Sequence, residues 1–346
     1  MRAVIEDQFA RWAGTGVGAI ERDVLGTDRP SEIAWIFQRF CVDRLGARPA
    51  AGLFYRASAG CVLGVHLEDG EDVVVKAFQR RWDSSFLAAV EAAQDRVADG
   101  GIPCPRPLLP PAPIRAGRPN LAVVETFLAD PGMRPGGSAA TRGVSARGLA
   151  HQIALCAGLP GAHRLERHPL RRHDSGLYGD PHSPLFDFDS TGQGAGWIDD
   201  LARRASMIRD EDTTTPVVAH TDWSARNVRF DERRLLAVYD WDSLAFVTEG
   251  TAIGQAAMTW SATADPGGTA FPEVDSVLGY LGDYEAARGG PLSTGQRRAA
   301  QAAAVYVLAY TARCEHSLAV RGIARPDQDT ARSRLAEIGA VLLDEQ

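Results

Sequence analysis

Chemistry concentrates in one stretch, Val217 to Asp242, which reads VVAHTDWSARNVRFDERRLLAVYDWD. An apolar run, Val217 to Ala219, delivers His220 and Asp222 into a polar loop that ends at Asn227. Two short strands are predicted next, Val228 to Phe230 and Leu235 to Tyr239, separated by the charged turn Asp231-Glu232-Arg233-Arg234. The second runs straight into Asp240-Trp241-Asp242, so the spacing predicts that Asp222, Asn227 and Asp240 meet at one end of a hairpin. Hard oxygen ligands gathered in this way suit Mg²⁺, and Mg²⁺ suits phosphates. A His-x-Asp pair alone is common; with Asn five residues after Asp222 and Asp thirteen residues after that Asn, the set is far more specific.

A second residue stands out by composition. The chain holds 37 Lys+Arg, yet Lys76 is its one lysine, and Asn120 and Asn227 are its two asparagines. Where charge alone suffices the chain uses Arg, so a lone Lys marks either a compositional accident or a position that needs a compact ammonium. The elements around it read as strands: Leu53 to Ala57, a Ser58-Ala59-Gly60 loop, Cys61 to Leu67, an acidic Asp-Gly turn, and Val73 to Phe78 carrying Lys76. A helix from about Ser84 to Ala98 follows, with Phe86, Val90, Ala93 and Val97 on one face and Glu91 beside it. Leu121 to Leu128 reads as a buried strand, and a Gly/Pro/Ser-rich linker, Ala129 to Gly143, comes after it.

The motif His220-x-Asp222-x-x-x-x-Asn227, followed after a hairpin by Asp240-Trp241, resembles the catalytic segment of the aminoglycoside phosphotransferase and choline kinase group, relatives of the protein kinases. The resemblance spans residues from about 50 to 320 and implies an α+β, bilobal protein-kinase-like fold. It implies an N-terminal helical extension over 1–50, a nucleotide-binding lobe with hinge over 51–128, and a helical lobe with catalytic loop and acceptor pocket over 129–346. It further implies a kinase using ATP or GTP with Mg²⁺ to phosphorylate a hydroxyl of an antibiotic, a sugar or amino sugar, or a metabolite alcohol. Asp222 is then the group that binds the hydroxyl and takes its proton, His220 and Arg226 its neighbours in the catalytic set, and Asn227, Asp240 and Asp242 the metal ligands. On the nucleotide side Lys76 holds phosphates and pairs with Glu91, Ser58 and Gly60 belong to the phosphate loop, and the backbone from Glu125 to Phe127 meets the adenine. Thr221 stands where the group usually has Gly, its hydroxyl expected to face outward, and Ser243 to Val247 replaces the usual Gly-Asp-Pro.

Net charge −7 and a pI near 5.7 argue against nucleic acid as partner. No signal-peptide core and no long apolar run are visible, which points to a cytoplasmic protein without membrane contact, as monomer or homodimer. The five scattered cysteines suggest neither disulfides nor a zinc site. From Asp174 to Asp212 nine acids face three arginines, an excess that either attracts a cationic acceptor or solubilises the surface. The loop Asp174 to Gly196 is long enough to suggest a functional or mobile segment. Beyond Asp242 helices are expected, including a long Ala-rich one from about Thr294 to Val320. Two other readings stay open: a metal-dependent hydrolase built on His220 and Asp222, and a nucleotide-binding module without catalysis. Acyl transfer through Ser224 is disfavoured because no Gly-x-Ser-x-Gly elbow frames it.

Overall fold

The alternation of apolar residues along the first strands decides which face of the first sheet is buried. In the computed structural model, which describes residues 1–11, 18–132, 137–168, 176–262, 271–323 and 330–344, the chain divides into two compact units. The first comprises Met1–Asp95, Pro105–Leu128 and Pro181–Phe186. It contains α1 (Arg2–Arg11), α2 (Ala19–Leu25), α3 (Pro30–Leu45), β1 (Pro49–Ala57), β2 (Gly60–Leu67), β3 (Asp72–Phe78), most of α4 (Ser84–Asp99), β4 (Pro107–Pro113) and β5 (Leu121–Thr126). The strands form one antiparallel sheet in the order β1-β2-β3-β5-β4.

Cys61, Leu63, Val65, Val73, Val75, Ala77, Ala122 and Val124 belong to one core cluster with Ile20 and Val24 of α2 and Ile33, Phe37 and Phe40 of α3. Successive side chains alternate across a strand, so Val62, Gly64, Val74, Lys76, Val123 and Glu125 stand on the opposite face. The three N-terminal helices thus cover one face and leave the lysine face to other partners. Helix α3 starts on Pro30 with Arg29 as N-cap, because the fixed φ of proline suits a first helical position. The Pro-rich segment before β5 is itself a strand, β4, tolerated because it lies at the sheet edge, where a missing N–H costs no ladder bond.

The second unit comprises Arg96–Cys104, Ala129–Asp180 and Asp187–Gln346. Its elements are α5 (Ala139–Leu155), α6 (Gly196–Asp210), β6 (Val217–His220), β7 (Val228–Phe230), β8 (Leu235–Val238), β9 (Leu244–Val247), α7 (Glu249–Thr259), α8 (Val274–Arg288), α9 (Thr294–Val320) and α10 (Thr330–Asp344). Ser138 caps α5 by accepting from the Thr141 N–H, so this helix begins earlier than its apolar period indicates. β7 and β8 form the predicted hairpin. The segment after Asp242 is not wholly helical: Leu244 to Val247 is β9, antiparallel to β6. Parts of the linker 129–143, Asp174, and most of the loop expected at 264–271 lie outside the described residues.

The segment 187–193 is held against α9: the Asp187 N–H donates to Ser317 Oγ at 2.9 Å, the Arg313 guanidinium donates to the Phe188 carbonyl, and His316 Nε2 donates to the Gln193 carbonyl at 3.0 Å. These bonds tie one part of the Asp174–Gly196 loop to the helix. All five cysteines are free, and no helix among the described residues is long and apolar enough to cross a membrane.

Helix α9 opens with a capping box, Ser293 with Gln296, and its alanines admit α7 at close range. A Cβ added at Gly254 of α7 would overlap the Ala300 carbonyl of α9, and one at Gly250 would lie 2.8 Å from the Gln296 carbonyl. Backbone atoms inside a helix cannot retreat cheaply. Gly254→Val is therefore expected to destabilise the fold by about 1–3 kcal/mol, measured as a lowered urea midpoint, whereas the same change at the open Gly282 is not.

Candidate active site

The catalytic segment is anchored on both sides before it becomes polar. Gln152 of α5 reaches β6: its Oε1 accepts the His220 N–H at 3.0 Å and its Nε2 donates to the Val218 carbonyl at 3.3 Å. On the β9 side, the Thr221 N–H and hydroxyl both donate to the Ser243 carbonyl, at 3.0 and 2.8 Å. The hydroxyl expected to face outward is thus a strand-to-strand tie. His220 is fully buried, edge-on to Trp223 and Trp241 with ring centroids 5.7 and 5.6 Å away. Its Nε2–H donates to the Tyr239 carbonyl at 2.9 Å. Sequence groups His220 with the catalytic residues; in the structure its ring has no exposed surface and is bonded within the segment's own packing. Ser224 is buried as well, which removes it as an acyl-transfer nucleophile.

Asp222 is half-buried at the end of this strand. Its Oδ2 accepts from Asn227 Nδ2 at 2.7 Å, and its carbonyl accepts from the same Nδ2 at 3.1 Å and from the Ser224 N–H at 2.9 Å. Burial pushes its carboxyl up, but the Arg226 guanidinium, His220 and the Asn227 amide together outweigh burial and hold it below the ordinary carboxylate range. Asp222 is therefore ionised at neutral pH, as a proton acceptor must be. Arg226 itself is exposed. With Asn227 Nδ2 committed to Asp222, its Oδ1 is the atom left to act as a ligand.

Asp240 follows β8, at the same open end of the hairpin as Asn227, with φ 61° and ψ 46°, the one non-glycine residue with positive φ among the described residues. Such a backbone costs on the order of 1 kcal/mol and collects at functional sites. It is held by the Ser243 N–H donating to the Asp240 carbonyl at 3.0 Å, and by burial of Trp241, whose Nε1–H donates to the Val238 carbonyl at 3.1 Å. Asp242 lies on the same short turn, its carbonyl accepting from His168 Nε2 at 3.1 Å. Among the described residues no three of His, Cys, Asp or Glu cluster as a ready-made metal cage. The oxygen donors Asn227, Asp240 and Asp242 are instead of the type that suits an ion taking most of its ligands from phosphate and water, as Mg²⁺ does. A metal-dependent hydrolase, needing several protein ligands around one ion, finds no such group here.

Arg229 was not singled out by sequence. Its Nε and Nη2 donate to Asp130 Oδ1 and Oδ2 at 2.8 and 2.9 Å, and its Nη1 donates to the carbonyls of Ala225 and Arg226 at 2.9 and 2.7 Å. One planar fork therefore ties the loop bearing Asn227 to the chain that follows β5.

In the first unit, Lys76 Nζ pairs with Glu125 Oε1 at 3.1 Å, the two side chains being 10% and 7% exposed. The register explains the pair: Val74 lies opposite Glu125 and Lys76 opposite Val123, so lysine and glutamate are diagonal neighbours on one face. Gln94 Nε2 donates to Glu125 Oε2 at 3.2 Å and to the Pro105 carbonyl at 2.8 Å. The expected partner, Glu91, does not hold the lysine; its Oε1 is buried without a hydrogen-bond partner. Sequence reasoning placed the pairing acid on the helix because strand register is not visible there.

In the phosphate loop, the Ser58 N–H donates to the Gly60 carbonyl at 3.1 Å, and Gln79 Nε2 donates to the Ala59 carbonyl at 2.7 Å. Gly60 has no room for a side chain, since a Cβ would lie 2.6 Å from the Ala77 carbonyl. At the expected adenine edge, the Thr126 N–H donates to Arg106 O at 2.8 Å and the Phe127 N–H to Asp72 O at 3.1 Å. These two donors are already engaged, so the stretch from Glu125 to Phe127 does not offer them to a base.

The family model for the phosphotransferase enzyme family (APH) matches residues 63–288. Among solved structures, an amicoumacin kinase, hAmiN, in complex with AMP-PNP, Ca²⁺ and Ami is similar at 10% identity and TM-score 0.63, with 91% of this chain and 96% of that one covered. A microcompartment-associated aminopropanol kinase is similar at 12% identity and TM-score 0.53, over 84% and 91%. A putative aminoglycoside phosphotransferase from Ralstonia eutropha JMP134 is similar at 15% identity and TM-score 0.52, over 86% and 93%. At such identities the likeness establishes the kinase-like fold. No curated protein matches by sequence.

Glu91 offers a test of its environment. Burial and then the nearby Asp95 push its carboxyl from 4.5 up to about 7. Below the unfolded value both states are protonated and nothing is lost; as pH rises through the window from 4.5 to about 7, the unfolded chain ionises first and the folded state weakens. Glu91→Gln is expected to exceed the parent in stability by about 2–3 kcal/mol near pH 8, the gap closing below about pH 5, in urea denaturation across that range. A gap independent of pH would refute this account of Glu91.

Proposed function

The chain belongs to the phosphotransferase enzyme family, and from that premise we propose that it transfers the γ-phosphoryl group of ATP or GTP to a hydroxyl of a small molecule. An antibiotic, a sugar or amino sugar, and a metabolite alcohol are the acceptor classes, and antibiotic resistance is the role that the first would bring. The observation that carries the reading is Asp222: an ionised carboxylate, hydrogen-bonded by Asn227 and set at the end of a buried strand.

Phosphoryl transfer asks a protein for positioning and charge neutralisation more than for covalent help. Asp222 orients the acceptor hydroxyl and takes its proton, a role worth about 10²–10⁴ in rate. Its depressed proton affinity makes it a weak base, which suits a reaction in which the proton leaves late and orientation does most of the work. Asn227, through its Oδ1, with Asp240 and Asp242, would hold Mg²⁺. The ion supplies positive charge beside the phosphate oxygens. Using an amide at position 227 adds an oxygen ligand without a further negative charge next to the nucleotide. Lys76 places a compact ammonium against the nucleotide phosphates. His220, Gln152 and Arg229 keep the loop still.

In this reading residues 51–128 bind nucleotide, 129–346 bind the acceptor and carry the catalytic loop, and 1–50 brace the first sheet. AMP-PNP and Ca²⁺ in the hAmiN complex are consistent with a nucleotide and a divalent ion here. The acids of the segment 174–212 give no support to a cationic acceptor, because several are already matched: Asp199 by Arg313 at 3.5 Å, Asp200 by Arg203 at 2.6 Å, and Glu211 by Arg298 at 3.5 Å.

The test is nucleotide consumption by the purified chain with ATP or GTP, Mg²⁺ and a panel of aminoglycosides, macrolides, peptide antibiotics, hexosamines, choline and homoserine. Asp222→Ala and Asp222→Asn are expected to lower transfer to the responding acceptor about 10²–10⁴-fold while nucleotide binding survives. Undiminished turnover in either variant would sink the assignment.

A further inference from the structure

We infer that Glu125 of β5, braced by Gln94, is the residue that positions Lys76 for the nucleotide phosphates, so that the lysine is fixed by the sheet and not by a carboxylate on helix α4. The inference rests on the phosphotransferase reading and adds the source of the lysine's geometry.

Three observations carry it. Lys76 and Glu125 meet at 3.1 Å with both side chains nearly buried, where an ion pair is little screened by water. Their diagonal places are set by backbone pairing, Val74 opposite Glu125 and Lys76 opposite Val123, and cannot shift unless the β3–β5 register slips. Helix α4 contributes an amide where an acid was expected: Gln94 Nε2 bridges Glu125 Oε2 and the Pro105 carbonyl. Glu91, three residues earlier on the same helix, makes no ion pair among the described residues and keeps a buried oxygen without a partner.

The arrangement has a functional consequence. Because the β3–β5 register places the pair and Gln94 braces Glu125 through a neutral hydrogen bond, the lysine is preset before nucleotide arrives. Glu125 is thus a positioning residue acting through Lys76.

The experiment is Mg²⁺–ATP binding by titration calorimetry on the full chain, with the nucleotide KM measured beside it, for Glu125→Gln, Glu125→Asp, Lys76→Met and the double variant Lys76→Met/Glu125→Gln. Glu125→Gln is expected to weaken nucleotide binding about ten-fold, within the range shown by coupled neighbours, with Glu125→Asp recovering part of the loss. The acceptor KM should stay unchanged. In the Lys76→Met background the Glu125 change should add nothing, an outcome that a merely structural role would not produce. Thermal melts report folding; should Glu125→Gln fail to fold, Gln94→Leu replaces it, expected to weaken binding severalfold in the parent and not in Lys76→Met. Additive losses, unchanged nucleotide affinity in Glu125→Gln, or the loss appearing instead in Glu91→Gln would overturn the inference. The reaction assignment is tested separately by Asp222-dependent transfer, so either can fail while the other stands.

Discussion

A buried hydrogen bond locks the two ends of the catalytic segment from inside: the His220 Nε2–H donates to the carbonyl of Tyr239. Asp222 and Asn227 follow β6, whereas Asp240 follows β8, and the β7–β8 hairpin brings those two chain ends together. The imidazole holds them there, wedged between Trp223 and Trp241. The Tyr239 N–H returns the tie by donating to the Asn227 carbonyl at 2.9 Å. The pattern of residue types follows from this demand. Each working polar residue has a buried neighbour in sequence: Asp222 sits before Trp223, Asn227 before Val228, Asp240 before Trp241. Charged oxygens stay reachable because the residues beside them are immobilised. The same packing meets the cost of Asp240's left-handed backbone, since Trp241 can reach its buried position only if the chain reverses at Asp240.

The chain assigns its cations by geometry. Arg229 faces a carboxylate and two carbonyls at once, a task for a planar fork with several donors. Lys76 meets a carboxylate oxygen of Glu125 on the sheet face that the N-terminal helices leave uncovered, a contact that a compact ammonium can make without a planar fork. A chain that otherwise uses arginine throughout therefore keeps a lysine at this position for a physical reason. The N-terminal helices contribute from the far side. By packing Phe37, Phe40 and Ile33 under Leu63, Val65 and Val75 they stiffen the strands whose register sets the Lys76–Glu125 pair.

Much of this was legible in the sequence, and the illegible parts share a cause. The motif from His220 to Asp240 could be read because its ligands lie on one hairpin, so spacing along the chain is spacing in space. The β2–β3 hairpin and the buried face of α4, Phe86, Val90, Ala93 and Val97, were equally visible, being set by local period. Glu125 and Gln94 were not, because their roles depend on which strand pairs with β3 and which helix turn faces it. β9 was missed for the same reason: Leu244 to Val247 is a strand only by virtue of β6, and four residues carry too little period to announce it. Strand β4 was hidden by its prolines, which an edge position tolerates and a central one would not.

The acidic segment shows where counting residues departs from physics. Nine acids against three arginines between Asp174 and Asp212 suggests a field that would draw in a cation. A field, however, depends on all charges within a Debye length, about 8–10 Å at ordinary salt, and not on neighbours in sequence. Arg313 and Arg298, contributed by α9, sit against Asp199 and Glu211. Asp187 is bound up locally, with Ser190 donating to it through both its backbone N–H and its hydroxyl. Two arginines of α9 thus offset part of the apparent excess and help hold the segment to the helical core, so the count along the sequence overstates the field.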